Sequence, residues 1–136
     1  MTDKELIKEA LEARKYSYSP YSKFAVGAAL LTGDGKVIRG CNIENASYTP
    51  TNCAERTAFF KAVSEGITEF TKIAVVGGNS DKPVSSYAYP CGVCRQVMRE
   101  FCDPETFEVI VAIDENNYKK HLLKEILPYS FGPEDL

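Results

Sequence analysis

With 136 residues, 44% of them hydrophobic and 26% charged, the chain has the composition of one globular domain, 1–136, able to bury roughly two-thirds of its unfolded surface. A formal net charge of −3, with lysines and arginines scattered along the chain, argues against a polynucleotide partner, whose phosphates call for a clustered basic surface. Apolar runs such as AVGAALL at 25–31 fall well short of the ~20 residues a membrane span requires, and the opening MTDKELIKEA has no basic-then-apolar leader, so the cytoplasm is the expected setting.

Thr2 and Glu5 form a capping-box pattern, and Leu6, Ile7, Ala10, Leu11 and Ala13 follow on one side at helical spacing, which predicts an amphipathic helix over 3–16. Arg14 falls in the same stripe, and the pattern does not explain it. AVGAALLT and KVIRGCNI flank Gly33-Asp34-Gly35 and read as a β-hairpin. After a polar loop at 44–51, a second helix carries Ala54, Ala58, Phe59, Ala62 and Val63 on one side and stops at Gly66. KIAVVGG at 72–78 reads as a buried strand. A loop then leads to a third helix on which Cys94, Val97, Met98, Phe101 and Cys102 share a face. FEVIVAI at 107–113 is a further strand, and HLLKEILP a short last helix opened by His121 and stopped by Pro128. The order αββαβαβα holds two βαβ crossovers and predicts a mixed sheet covered by helices.

Five cysteines without a secretory signal do not suggest a disulfide framework; they are ligands, nucleophiles or core filler. Cys91-Gly92-Val93-Cys94 suits a shared Zn²⁺ at a helix N-terminus, and the same spacing suits a redox dithiol. Cys53, also at a helix start, is the candidate third ligand. Three protein ligands would leave a tetrahedral ion one position for water; Cys41, Cys102 or His121 would close the site if one of them joined. Glu55 has two readings. It completes a capping box with Asn52, and it also lies inside the apolar stripe, where burial would raise its pKa toward that of a group able to take and return a proton. Three thiolates and Zn²⁺ sum to −1, so Arg56 and Arg95 are expected to hydrogen-bond the ligand sulfurs and draw charge away from them.

In CAERTA and PCGVCRQV, together with YSPYSKFAVGAALL, GCNIENASY and ILPYSFGPEDL, the chain resembles the cytidine deaminases, in the small homotetrameric form with three cysteine ligands. The resemblance implies a three-layer α/β sandwich with a mixed five-stranded sheet. It also implies one Zn²⁺ per subunit on Cys53, Cys91 and Cys94, with Glu55 carrying a proton from the metal-bound water to ring N3 and later to departing ammonia. By the same resemblance Phe24 packs on the base, the Ala54 amide lies near the base carbonyl, and Asn42 and Glu44 hydrogen-bond the ribose 3′-hydroxyl. Phe131 enters the pocket of a neighbouring subunit. The partner is then a small nucleoside, not a nucleic acid or a membrane, and the products are uridine and deoxyuridine. Val93 replaces the smaller residue usual in the motif, and the loop that brings Tyr87 and Tyr89 toward the cysteines is slightly long. A deaminase for another aminopyrimidine nucleoside, a closed zinc-stabilised interaction domain and a dithiol oxidoreductase share parts of this pattern; CNIEN and Phe24 favour cytidine.

Overall fold

The computed structural model describes every residue from Met1 to Leu136. Helix α1 (Asp3–Arg14) starts at the expected capping box, with Thr2 and Glu5 each accepting the other's amide. Strands β1 (Phe24–Thr32) and β2 (Val37–Cys41) form the hairpin. Next come α2 (Ala54–Ser64), β3 (Phe70–Asn79), α3 (Gly92–Phe101), β4 (Glu108–Asp114), β5 (Asn117–Leu122) and α4 (Leu123–Ile126). Gly66 ends α2 in the left-handed region, where its amide and that of Ile67 turn back to the carbonyls of Val63 and Ala62.

The sheet runs β2-β1-β3-β4-β5. β1 is antiparallel to both neighbours, β3 and β4 are parallel, and β5 returns antiparallel to β4. Alternating side chains divide the core into two layers. Ala28, Leu30, Ile73, Val75 and Val109 meet Ala58 and Phe59 of α2 and Met98 of α3. Ala29, Leu31, Ala74, Val76 and Ile110 meet Leu6, Ile7 and Ala10 of α1. The architecture is therefore the expected helix, sheet, helix sandwich.

This topology positions the cysteines. β2 and β3 both run antiparallel to β1 and so point the same way, which brings the N-termini of α2 and α3 to the same edge of the sheet. Gly40 seats α2 on the sheet: a Cβ there would fall on the carbonyl oxygen of Ala54 and 2.6 Å from the amide nitrogen of Ala58.

Three readings of the residue pattern change, and Arg14, which the pattern left unexplained, acquires a role. Residues 117–122 form a fifth strand that the hydrophobic pattern does not show, and His121 lies in it, opposite Val109, instead of opening the last helix. Arg14 is a tie between elements: its guanidinium donates to the carbonyls of Ala25 (3.0 Å), Gly78 (3.2 Å), Asn79 (2.7 Å) and Lys82 (3.1 Å). The Asn52–Glu55 capping box does not form, because Cys53 is the N-cap and the Asn52 amide pairs with the Ile43 carbonyl. Arg95 does not reach a sulfur, as described next.

Candidate metal centre and adjoining cavity

Cys53 and Cys91 are the N-cap residues of α2 and α3, and neither side chain accepts a hydrogen bond from a backbone amide of its own helix, as N-caps ordinarily do. Their sulfurs turn toward each other. Cys53 Sγ is 3.9 Å from Cys91 Sγ, Cys91 Sγ is 3.6 Å from Cys94 Sγ, and all three lie within 4.8 Å of one another. Zn–S bonds of ~2.3 Å at tetrahedral angles place sulfurs ~3.8 Å apart, so the spacing fits one zinc ion. Cys41, Cys102 and His121 stand outside the cluster, and Tyr89 Oη lies 3.0 Å from His121 Nε2.

The electrostatics also fit a cation. A hydrogen bond from Cys94 and the guanidinium of Arg56 hold the Cys53 thiol down to about 5 despite its burial. The same Cys94–Cys53 hydrogen bond, with burial, pushes Cys94 up. Three crowded sulfurs that resist joint ionisation are what a divalent ion relieves. Arg56 donates from Nη2 to Cys53 Sγ at 3.3 Å, and its Nε is buried without a partner. Arg95, expected to do the same, instead donates to the carbonyls of Pro90 (2.8 Å) and Ile126 (2.7 Å). It braces the backbone just before Cys91 and leaves the sulfurs to Arg56.

Glu55, in the first turn of α2, is 4% exposed, and burial pushes its carboxyl up to about 7. It shares a cavity of about 320 Å³ with Cys53, Ala54 and Cys91, within the ~300–1,000 Å³ range of small-molecule sites. Phe24, Val26 and Val75 form apolar wall; Ser22, Asn42, Glu44, Thr51 and Asn52 supply polar groups. Asn42 is nearly buried, donating from Nδ2 to the Phe24 carbonyl (2.8 Å) and accepting at Oδ1 from the Val26 amide (2.9 Å). Glu44 accepts at Oε1 from the amides of Tyr21 (3.0 Å) and Ser22 (3.2 Å) and at Oε2 from the Ser22 hydroxyl. That hydroxyl, with the amides, holds the Glu44 carboxyl below its usual range. The wall holds no lysine or arginine, so it suits a neutral sugar better than a phosphate.

Phe24, Asn42, Glu44, Ala54, Glu55, Cys53 and Cys91 therefore come together at one cavity. Phe131 does not line it. The residue is 58% exposed near the end of the chain, and its carbonyl accepts from Gln96 Nε2 at 2.9 Å. The sequence analysis missed Ser22 and Thr51. Ser22 stands two residues before Phe24, in reach of the same cavity, and that proximity is the signal that points to it.

Comparisons with known proteins agree with this geometry. Residues 1–111 match the family model for the cytidine and deoxycytidylate deaminase zinc-binding region. A cytidine deaminase of Halalkalibacterium halodurans is 53% identical over 131 residues, covering 96% of this chain and 95% of that protein. One from Sporosarcina psychrophila is 48% identical over 136 residues, covering 100% of this chain and 96% of its own. The crystal structure of cytidine deaminase from Burkholderia pseudomallei aligns with a TM-score of 0.87 at 47% identity, covering 96% of this chain and 100% of that one. With its three clustered sulfurs, buried glutamate and whole-chain likeness, the chain belongs to the cytidine and deoxycytidylate deaminase family.

Proposed function

We propose that the protein is a zinc-dependent hydrolase that converts cytidine and 2′-deoxycytidine to uridine and 2′-deoxyuridine with release of ammonia, a step of pyrimidine salvage. The observation that carries this reading is that Cys53, Cys91 and the buried Glu55 share the wall of one cavity, with Cys94 completing the sulfur cluster. One zinc ion per subunit, held by the three cysteines, supplies Lewis acidity that makes water a competent nucleophile near neutral pH. Glu55 takes a proton from the attacking water and delivers it to ring N3. Glu55 then takes the remaining proton from the new C4 hydroxyl and gives it to the amino group; as the C4–N bond breaks, ammonia leaves and C4 keeps the water oxygen as its carbonyl. A carboxyl near 7 suits a group that must both accept and return a proton.

The remaining residues bind and orient. Phe24 packs on the base, the Ala54 amide donates to the base carbonyl, and Arg56 draws charge from Cys53. Asn42 and Glu44 hold the ribose 3′-hydroxyl. Glu44 is prepared for this by Ser22 and by two backbone amides that fix its carboxylate before substrate arrives. Polar groups left without the sugar carry a penalty, which favours the nucleoside over free cytosine. An ionised Glu44 and the lack of basic wall residues favour the nucleoside over its phosphate.

The active assembly is a homotetramer in which Phe131 of one subunit enters the pocket of another, a role that its exposed ring allows. Five free thiols, three of them ligands, suit the reducing cytoplasm. No helix is long and apolar enough to cross a membrane. The deciding experiment combines anaerobic metal analysis with an ultraviolet assay on cytidine, deoxycytidine, cytosine and cytidine monophosphate. One zinc per chain and turnover of the two nucleosides alone is the expected result. A metal-free preparation with full activity, or preference for the phosphate, overturns the reading.

A further inference from the structure

The segment 85–90 leads into α3 along the cavity, and the chemistry above makes no use of it. Ala88 and Tyr89 both line the wall. Ala88 rests on β3 at Gly77, where an added Cβ would come within 3.0 Å of the Ala88 Cβ and 3.2 Å of the Phe24 ring. The missing side chain at Gly77 thus lets the segment lie beside the aromatic ring proposed to pack on the base. Tyr89 is then fixed from the outside. Its hydroxyl lies 3.0 Å from Nε2 of His121, and the two ring centroids are 5.5 Å apart. Two residues earlier, the Tyr87 ring carries Lys119 Nζ 4.8 Å from its centroid. Residues 119 and 121 of β5 alternate onto one face of the strand, so two tyrosines of the segment are strapped to one side of an edge strand.

Tyr89 is two residues from Cys91, at most about 7 Å along the chain, so it bounds the metal end of the cavity. In the proposed reaction C4 comes to that end and N3 turns to Glu55 on α2. The ring edge on the other side of C4 is C5, which then faces away from α2 and toward residues 88–91. We propose that Tyr89, held by His121, is a specificity-determining wall that gauges the C5 edge of the pyrimidine, with His121 as a positioning residue acting through it. The inference rests on the nucleoside-deaminase reading given above. A partly exposed tyrosine released from its hydroxyl contact gains other rotamers, and the wall yields to a larger substituent.

The test measures kcat and KM for cytidine and 5-methylcytidine, with zinc content and thermal midpoint, on wild type, Tyr89→Phe, His121→Ala, His121→Gln and the Tyr89→Phe/His121→Ala double variant. Discrimination against 5-methylcytidine is expected to fall about three- to tenfold in Tyr89→Phe and His121→Ala, the range that loss of one side-chain hydrogen bond gives. The double variant should match the singles, because all three lack the same contact. His121→Gln, whose amide still reaches the tyrosine hydroxyl, should restore most of the discrimination. Unchanged discrimination, additive effects, or loss of zinc in His121→Ala overturns the wall, the last by placing the action of the strap on Cys91. An inert wild type removes the nucleoside reading and the wall together, whereas an active wild type with unchanged ratios in the variants removes only the wall.

Discussion

In the proposed reaction Glu55 would carry the highest chemical demand of any side chain in the cavity, since it is nearly dry and would have to exchange protons. Glu55→Gln keeps the shape and the neighbouring sulfurs, so zinc content should stay at the wild-type level while kcat falls by about three orders of magnitude or more. Ammonia release from cytidine at an undiminished rate in that variant would remove Glu55 from the mechanism. The five cysteines divide in the same way. Serine at 53, 91 or 94 should strip the metal. Serine at 41 should leave it in place, and serine at 102 should leave it too while costing about 1–2 kcal/mol, because Cys102, just past the end of α3, is buried in the apolar core. Metal loss in Cys41→Ser or Cys102→Ser, measured by elemental analysis, would reassign the ligand set. At this scale the sulfurs were legible because the C-x₂-C spacing marks Cys91 and Cys94 and a helix start after a polar loop marks Cys53, whereas the partners of the arginines were not. Arg56 and Arg95 each follow a key residue, yet only one reaches a sulfur. The difference lies in the Ile126 carbonyl, which the fold brings beside Arg95 from 31 positions away.

Elements place those residues, and the contact of α2 with β2 at Gly40 is a tight point of that placement. Gly40→Ala should push the first turn of α2 off the sheet, lowering stability by about 1–3 kcal/mol and zinc occupancy with it. Calorimetry and metal analysis check both. Helix α1 is held differently. Asp3 receives Lys72 Nζ at 2.7 Å and Lys120 Nζ at 2.8 Å, joining the start of α1 to β3 and β5. Burial raises the Asp3 carboxyl, but the two lysine hydrogen bonds outweigh it and the net shift is downward. A depressed folded-state pKa contributes stability that is present above the unfolded value and lost as pH falls through the folded one. Asp3→Asn should therefore cost about 1 kcal/mol at neutral pH, and the gap to wild type should close below pH ~4; a gap unchanged at acid pH would rule out the ion pairs as its source. Helices α1, α2 and α3 and strands β1, β3 and β4 were legible because buried faces leave a period in the sequence. Strand β5 was not, since an edge strand with Lys119, Lys120 and a largely exposed surface has the composition of a loop.

For the whole molecule, the arrangement of layers followed from the order of elements, but the surface left bare by one chain did not. Phe131 is held at its backbone by α3 while its ring projects outward, which the pattern of the last ten residues does not reveal. If pockets are completed between subunits, Phe131→Ala and Glu55→Gln chains, each nearly inactive alone, should regain activity when refolded together, because a Glu55→Gln subunit can lend its phenylalanine to a Phe131→Ala neighbour. Activity of the mixture no higher than that of its parents would place Phe131 outside the pocket. The uncapped starts of α2 and α3 bear on durability. Since the Cys53 and Cys91 side chains turn to the sulfur cluster and not to the first backbone amides of their helices, an ion bound there would act as a rivet through two helix beginnings. A chelator should leave the strands paired while both beginnings fray, so a protease added to the stripped protein should make its earliest cuts near 48–54 and 86–92.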